Sequence, residues 1–531
     1  MYIIAYDVGS TGLKSCLFDV STDSGIRLLH GEMAEYELCV LDNGGVEQDP
    51  DQWWDAMCTT TRRILDKTGI TKEDIKGLSF CAQMQGLVLV DQDGQPVRKA
   101  MSYMDNRGVE QIKKGLQSGP KVAGMNAAKL RMSLKITGAV SASVKDPVWK
   151  YRWVADNEPE NMARTYKWLD VKDYLVCRAS GRFTMSRDSA FSTLLYDTRP
   201  GRDCFSKELC DAFGVNIEHM PEIVSSTEPV GGLTEKAADE LGLLCGTAVF
   251  SGGGDASLIG LGAGSVEVGD THIYVGTSGW VSTVIDTQKL DVRSMIASTV
   301  GVQSDSYNCF AELETAGKCF EWAKDHLIMD DIDLFSEVTY AEDIEAKRVN
   351  MYGFIMDKIA EIPPGSHGVI FTPWLHGNRC PFEDPNARGV FFGLGMENTS
   401  ADMYHAVIEG VCMHLKWQLI AMDKLVQSSD VVRFAGGGAL SDQTCQIMAD
   451  VLGKVIQVPE EPQNTGTVGA AALAAVGLGE IDSLKAVKTM VKVDRTFIPD
   501  KAKTAVYEKL FETFKSIYFR NKKSFSAIAE Y

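Results

Sequence analysis

The sequence predicts an α/β protein made of two lobes with a duplicated core. Residues 2–20 and residues 271–284 both give a strand, a short turn rich in Gly, Ser and Thr, and a second strand. Residues 247–264 and residues 431–442 both take an apolar strand into three glycines and then into a helix. Because each pattern occurs once in each half of the chain, we expect two related lobes that present their turns to a shared cleft.

The length of 531 residues predicts two or more domains. The net charge of −19 argues against a nucleic-acid surface, which needs clustered Lys and Arg. No uninterrupted apolar run reaches the ~18 residues expected of a membrane span. The N-terminus enters a strand directly, so we expect no signal peptide. The thirteen cysteines form no CxxC pair, which favours reduced thiols in a cytoplasmic protein.

The first hairpin contains the residue types that a phosphate–Mg²⁺ site needs. An apolar strand of residues 2–6 ends at Asp7, whose carboxylate can orient hydrated Mg²⁺. The turn supplies backbone amides, hydroxyls and one ammonium group for phosphate oxygens, from Gly9, Ser10, Thr11 and Lys14. The alternative is a hairpin whose turn is rich in Gly and Ser by chance. The pattern is not a Walker loop, since it lacks GK[ST] and a following helix.

The first helix is predicted from its start signals. Asp49 is a suitable N-cap, and Pro50 fits the first helical position of a helix that ends near Lys67. Trp53 and Trp54 are expected to anchor the core rather than to stack on a ligand.

Two polar stretches of the N-terminal half are candidates for binding a hydroxylated ligand. Residues 77–90 read as two strands interrupted by Gln83, Met84, Gln85 and Gly86. Amide side chains suit hydroxyl groups because they both donate and accept, although a self-capped turn would also explain the break. Asp105 and Arg107 place an acid and a base two residues apart, which fits either a sugar site or a surface turn.

Asp255 is the predicted general base. An apolar strand runs into Gly252, Gly253 and Gly254 and delivers Asp255 to the mouth of a strand–helix junction. Open α/β sheets usually bind ligands at such junctions. A carboxylate there can accept a proton from a substrate hydroxyl, and a role as the N-cap of its own helix is compatible with that function.

The C-terminal half contains the predicted counterpart loops. The tip of the second hairpin comprises Gly276, Thr277, Ser278 and Gly279. Gly317 lies at the start of an amphipathic helix. Residues 436–438 are glycines that precede a helix beginning near Asp442. These glycines either lie against a flat group such as adenine and ribose or form an ordinary turn.

Together these stretches resemble the FGGY family of carbohydrate kinases over nearly the whole chain and in the family's order. The segments that carry the resemblance are DVGSTGLKSCLFD, EQDPDQWW, GLSFCAQMQGLVLVD, DPVWKYRWV, GGGDAS, GTSG, DPNARGVFFGL and GGGALSDQTCQIMADV. The resemblance implies a two-lobed actin/hexokinase/Hsp70-like (ribonuclease H-like) fold. It also implies a sugar-binding lobe over residues 1–254, a nucleotide-binding lobe over residues 255–490 and a helical tail over residues 491–531.

The resemblance implies ATP and Mg²⁺, with Asp255 as the catalytic base and Asp7 as the catalytic acid residue that orients the metal. The phosphate contacts that it implies are Gly9, Ser10, Thr11, Lys14, Gly276, Thr277 and Ser278. The nucleotide contacts that it implies are Gly317, Gly437, Gly438 and Asp442. Glycerol kinases carry asparagine at the last of these positions, so the aspartate departs from their pattern.

For the acceptor, the resemblance implies a small sugar or polyol held by Gln83, Met84, Gln85, Asp105, Arg107 and Asp255. The xylulokinase branch carries Gln-Met-His-Gly where this chain has Gln-Met-Gln-Gly. Glutamine keeps a donor and an acceptor in place of histidine, and the surrounding GLVLVD and the Asp105 and Arg107 region resemble xylulokinase or gluconokinase. D-Xylulose is the leading substrate, with another ketose, gluconate or a polyol as alternatives. The rival hypothesis is an actin- or Hsp70-like ATPase without a sugar substrate. We expect no nucleic-acid or membrane partner, and a homodimer is compatible with the sequence.

Overall fold

The computed structural model describes residues 1–23, 25–303, 305–329 and 355–529. Each half of the chain forms one large sheet with helices packed on both of its faces. Nine of the thirteen cysteines are buried, as the sequence predicts. The predicted two-lobed α/β architecture is confirmed.

The first sheet has seven strands with a parallel centre. The spatial order is Pro229–Gly232, Ala248–Phe250, Ile75–Ala82, Tyr2–Val8, Gly12–Ser21 and Gly25–Glu35, with Gly253–Gly254 also paired to the third of these strands. Side chains alternate between its faces: Ile4 and Tyr6 enter one core, whereas Ile3 and Ala5 enter the other. This pattern buries the central strand on both sides.

The helices of the first half form both the layers on this sheet and a smaller helical region. They are Pro50–Thr68, Val109–Gly115, Ala127–Ile136, Pro147–Asn157, Pro159–Arg164, Val171–Ser180, Arg187–Ser192, Lys207–Phe213, Glu235–Leu241 and Asp255–Gly262. The predicted start of the first helix is confirmed, since Asp49 accepts the Asp51 N–H at 3.0 Å and Pro50 is the first helical residue. Trp53 and Trp54 are fully buried, as expected for core anchors.

The second sheet has eight strands. Their spatial order is Leu290–Asp291, Ile296–Val300, Tyr307–Leu313, Gly279–Ile285, Thr271–Val275, Val431–Ala435, Val455–Pro459 and Val493–Phe497. The accompanying helices are Gly317–Ala323, Ser400–Met422, Asp442–Leu452, Thr465–Gly477, Val487–Met490 and Lys501–Ile528. The tail predicted to be helical over residues 491–531 is a helix only from Lys501 to Ile528, because Val493–Phe497 pairs with Val455–Pro459 as the edge strand of this sheet. The aromatic residues Tyr507, Phe511 and Phe514 of the helix pack into the core of the second half.

Two helices cross between the sheets and make the lobes share a core. Asp255–Gly262 packs against Thr465–Gly477, which also lies on the first sheet although it comes late in the chain. The approach requires glycine, because a Cβ on Gly262 would lie 1.8 Å from the Thr465 carbonyl oxygen.

Short two- and three-stranded sheets complete the periphery. They comprise Cys39–Val40, Val46–Gln48 and Ala100–Met101; Val88–Val90 and Lys167–Leu169; Lys121–Val122 and Met125–Asn126; Thr184–Ser186 and Glu222–Val224; Tyr196–Asp197 and Cys204–Phe205; and Ile370–Thr372 and Val390–Phe392. Within the described ranges, no helix is both long and apolar enough to cross a lipid bilayer.

Candidate active site

The first hairpin brings the phosphate-side candidates to the end of a central strand. Strands Tyr2–Val8 and Gly12–Ser21 pair so that Asp7 lies opposite Lys14. Thr11 is exposed at the tip of the turn. The Asp7 carboxylate, the Lys14 ammonium group and the turn amides therefore lie at one end of the first sheet, as the sequence predicts.

The turn is braced from behind by two side chains that sequence reasoning did not identify. The Tyr36 hydroxyl donates to the carbonyl oxygens of Gly9 and Gly12 at 2.6 and 2.9 Å. The Gln48 amide donates to the Ser10 carbonyl oxygen at 2.7 Å. These bonds occupy carbonyl groups of the turn, and the Gly9 N–H also donates to the Gly12 carbonyl oxygen at 2.9 Å.

Lys14 connects the hairpin to the second half of the chain. Its Nζ donates to the Gln463 carbonyl oxygen and to Asn464 Oδ1, both at 2.9 Å. An ammonium group has three donors, so one N–H remains for a phosphate oxygen. The lysine is thus held at the cleft between the lobes by bonds within the protein itself.

Asp7 lies at the N-terminal end of helix Thr465–Gly477. Its Oδ2 is 3.4 Å from the position that a Cβ on Gly466 would take. Burial raises the pKa of Asp7 above its ordinary value, while the Lys14 charge and a hydrogen bond from Cys81 oppose that rise. The helix N-terminus and Lys14 favour the charged form of Asp7, which is the form that a divalent cation requires, and oppose the larger effect of burial.

Asp255 comes from the neighbouring strand end. Residues Gly253–Gly254 pair with Cys81–Ala82. Residues Cys81–Ala82 pair on their other side with Asp7–Val8. Two strand spacings separate the two acids, which is about 10 Å. Asp255 lies at the strand–helix junction, as predicted, and is partly exposed. It is the first residue of helix Asp255–Gly262 rather than its N-cap, which is Gly254.

The surroundings of Asp255 suit a base near neutral pH. Burial raises the pKa of Asp255 to about 7, against the opposing hydrogen bond from the Ala256 N–H. The negative charges of Asp7, Glu312 and Asp170 raise that pKa further. A carboxylate with this pKa can be ionised at neutral pH and still accept a proton efficiently.

The second hairpin faces the same cleft. Its tip is bonded to the start of helix Gly317–Ala323, because the Gly317 N–H donates to the Gly276 carbonyl oxygen at 2.8 Å and the Lys318 N–H donates to that of Thr277 at 3.2 Å. Thr277 is exposed and Ser278 is partly exposed. Burial raises the pKa of Tyr274 on this hairpin, and the charges of Asp7 and Asp255 add to the increase, so the two lobes meet here.

The predicted nucleotide glycines lie beside this hairpin. The Gly436 N–H donates to the Pro462 carbonyl oxygen at 2.8 Å. Gly437 is exposed, and a Cβ there would meet open space. Asp442 begins helix Asp442–Leu452, but Arg495 bonds its carboxylate at 2.5 Å and most of that side chain is exposed. The open face at the glycines can receive a flat group.

The predicted substrate loop, residues 83–86, has two parts. Its first residues support the neighbouring backbone, and Gln85 has a side chain that is open to a ligand. The Gln83 amide donates to the Gly9 carbonyl oxygen at 3.0 Å and to Gln48 Oε1 at 2.9 Å, so it supports the first hairpin. Met84 lies against Gly254, where a Cβ would come within 2.2 Å of its sulfur. Met84 therefore contacts the backbone that carries Asp255.

Gln85 has a left-handed backbone with φ of 64°. Its N–H donates to Asp170 at 3.1 Å, and its carbonyl oxygen accepts from Lys150 Nζ at 2.7 Å. Burial raises the pKa of Asp170 to about 7 and lowers that of Lys150 to about 8. Since the backbone is fixed from both sides and the Gln85 side chain makes no hydrogen bond to a described residue, that side chain is available to a ligand.

Asp105 and Arg107 belong to a buried ion network. Arg107 bonds Asp105 with distances from 2.6 to 3.2 Å and bonds Glu47 at 2.7 Å, while the Arg98 guanidinium bonds the same Glu47 oxygen at 2.5 Å. The Arg107 guanidinium also lies 4.3 Å from the centre of the Trp153 ring. Asp105 is fully buried, so this pair holds the wall behind the loop.

We expect Arg107→Ala to lower the free energy of unfolding by about 3–5 kcal/mol, since it leaves the buried charge of Asp105 without its partner and leaves Glu47 with Arg98 alone. Urea denaturation measures the change. The control is Arg199→Ala, which breaks the similar but more exposed pair with Asp197 and should cost about 1 kcal/mol or less. Equal costs for the two variants would contradict a buried structural role for Arg107.

Several cleft residues carry no local sequence signal. Tyr103 is 37% exposed and bonds the Ser10 hydroxyl at 3.3 Å. Burial raises its pKa, and the charges of Asp255 and Glu312 contribute, so the ring lies beside the base. Arg379 bonds Glu312 at 2.8 Å from the second lobe. Only the fold brings these residues together.

Two lobes that present hairpin tips to one cleft, with a carboxylate at its base, define a phosphotransferase of the actin/hexokinase-like fold. The N-terminal domain of the FGGY family of carbohydrate kinases matches residues 2–262, and its C-terminal domain matches residues 272–478. The chain belongs to this family. It is therefore a carbohydrate kinase that transfers a phosphoryl group to an alcohol, and the ATPase hypothesis without a sugar substrate loses its support.

Named relatives span the whole chain. The xylulose kinase of Staphylococcus xylosus is 27% identical, with 97% of this chain and 99% of the relative covered. The gluconokinase of Bacillus subtilis is 25% identical, with 100% and 98% covered. The crystal structure of ligand-bound xylulose kinase from Lactobacillus acidophilus has a TM-score of 0.83 at 24% identity, with 99% of each chain covered. That structural likeness supports the fold.

Proposed function

We propose that this kinase transfers the γ-phosphoryl group of ATP to a primary hydroxyl of D-xylulose. Two observations support the ketose. The full-length relatives include xylulose kinases, and the loop beside Asp255 carries an amide that can bond sugar hydroxyls. A homodimer and a cytoplasmic location stay predictions.

The charge of the pocket favours a neutral acceptor over an anionic one. The negative charges of Asp7, Glu312 and Asp170 add to the effect of burial in raising the pKa of Asp255. Lys150 is bonded to the Gln85 carbonyl oxygen, and Arg379 is bonded to Glu312. An aldonate carboxylate would be repelled by these acids, so a neutral ketose fits better than gluconate.

The residues of both hairpins fit a nucleotide with its metal. Exposed tips at Thr11 and Thr277 and the open face at Gly437 suit phosphates and a base, and the Asp7 carboxylate suits a hydrated cation. Bound Mg²⁺ would neutralise charge on the transferring group. Lys14 and the turn amides hold phosphate oxygens, and closure of the lobes excludes water. Asp255 accepts the proton of the acceptor hydroxyl on its carboxylate.

The test is a panel of acceptors. Initial rates of ADP formation with D-xylulose, L-xylulose, gluconate, xylitol and glycerol give kcat/KM for each one. We expect D-xylulose to exceed gluconate in kcat/KM by at least about tenfold, which corresponds to about 1.4 kcal/mol of repulsion between the gluconate carboxylate and the acids of the pocket. A larger kcat/KM for gluconate would contradict the ketose assignment, and hydrolysis without any acceptor would contradict the kinase mechanism.

Gln85→Ala tests the specificity loop. Because it removes one hydrogen-bonding group, we expect the KM for the sugar to rise about tenfold while the KM for ATP stays unchanged. Gln92→Ala, in an exposed turn, is the matched control and should change neither constant. An unchanged KM for every sugar of the panel would remove Gln85 from the pocket.

A further inference from the structure

The three-glycine loop before Asp255 has no side chains of its own that could fix its position. A Cβ on Gly254 would collide with Met84, and one on Gly253 would lie 3.0 Å from Asp188 Oδ2. The segment is paired to the sheet only through the short strand Gly253–Gly254. Within the part of the chain that the structure describes, Asp188 is the sole residue whose side chain bonds these three glycines.

Asp188 is built into the protein interior. It lies in helix Arg187–Ser192 and is 1% exposed. Its Oδ2 accepts the Gly254 N–H at 2.7 Å. Its Oδ1 accepts the Ser189 N–H at 3.0 Å and the Ser186 hydroxyl at 2.5 Å. Both carboxylate oxygens accept hydrogen bonds from donors of the fixed backbone or of Ser186, so the carboxylate has one orientation. That orientation in turn fixes the position of the Gly254 peptide.

The same short helix reaches the opposite wall of the pocket. The Ser192 hydroxyl donates its hydrogen to the Ser189 carbonyl oxygen at 2.7 Å and lies 3.4 Å from Asp170 Oδ2. Asp170 in turn accepts the N–H groups of Gln85 and Gly86 at 3.1 and 2.8 Å. One end of helix Arg187–Ser192 therefore supports the loop of the base, and the other end lies beside the carboxylate that holds the loop of the substrate.

We propose that Asp188 is a positioning residue for Asp255, acting through the Gly254 peptide to set the distance between the base and the acceptor hydroxyl. The proposal rests on the proposed function, in which Asp255 removes the hydroxyl proton. Proton transfer requires a heavy-atom distance of about 2.6–3.2 Å, and a displacement of about 1 Å can cost about 10²-fold in rate. Asp188 touches no reacting group itself.

Asp188→Asn is the main test. The amide puts N–H groups where one oxygen accepted a backbone N–H, so whichever way it turns, a donor faces a donor. We expect kcat to fall about 10²-fold, with the KM for ATP unchanged. Ser186→Ala keeps the Gly254 bond and should change kcat by less than about threefold. Asp450→Asn, at an equally buried acid of the other lobe, should lower the Tm and leave kcat unchanged.

A double-mutant cycle separates positioning from general support of the fold. If Asp188 acts through Asp255, the Asp188→Asn loss should vanish in an Asp255→Asn background. Losses that multiply, or an Asp188→Asn variant with a lower Tm and normal kcat, would overturn the proposal. Asp188→Ser, which introduces no opposing amide, is measured in the same way; failure of both variants to fold would also overturn it. Near-normal turnover of Asp255→Asn alone would instead refute the proposed function.

Discussion

Asp255→Asn is expected to lower kcat by about 10²- to 10⁴-fold, the usual contribution of a general base. The substitution keeps the shape of the side chain and removes its ability to take a proton. The dissociation constants for ATP and sugar should change by less than threefold, because the backbone that carries residue 255 stays bonded to Asp188. Rapid-quench measurement of ADP formation and equilibrium titration give the two quantities.

The pH dependence provides a second readout of the same residue. The base is active when ionised, and the pKa of Asp255 is raised to about 7. The kcat/KM for the sugar should therefore rise with pH through about 7 and level off above it. In Asp255→Asn this acid limb should disappear from the residual activity. Near-normal turnover of the variant, or an acid limb that persists in it, would exclude Asp255 as the base.

Asp7→Asn is expected to have the second-largest effect. The neutral amide removes the negative charge that faces the cleft beside Lys14, so the attraction for a hydrated cation weakens. We expect the Mg²⁺ concentration for half-maximal rate to rise about 10- to 100-fold, as for other groups that orient a metal from its outer shell. The measurement is a Mg²⁺ titration of the initial rate at fixed total ATP.

The control for Asp7→Asn lies in the same hairpin. Asp19 pairs with Tyr2 at the far end of the two strands and bonds Arg27 at 3.0 Å. Asp19→Asn should leave the Mg²⁺ titration unchanged. If Asp7→Asn also leaves it unchanged, Asp7 does not orient the metal.

Local sequence patterns identified the hairpins, the helix starts and the position of Asp255 because each depends on residues close together in the chain. The Asp49 cap and the Gly/Ser/Thr turn are decided by neighbouring backbone groups. The duplicated arrangement could be predicted because the same local chemistry occurs twice. The separation into lobes at residue 255 remains a proposal, since helix Thr465–Gly477 comes late in the chain but packs on the first sheet.

The parts that the sequence could not reveal depend on long-range contacts. Lys14 meets Asn464 and Asp188 meets Gly254 only in the folded chain. Asp105 and Arg107 look like a short polar motif, but Glu47 and Arg98 complete a buried network around them. Spacing along a sequence carries no information on such partners, so support for a site is harder to predict than the site itself.

The most direct measurement of the central claim is a crystal structure of the kinase with D-xylulose and a non-hydrolysable ATP analogue. We expect an Asp255 carboxylate oxygen within about 2.6–3.2 Å of the primary hydroxyl, with the γ-phosphate between the tips at Thr11 and Thr277. A primary hydroxyl bonded by another residue, with Asp255 turned away from the sugar, would contradict the account.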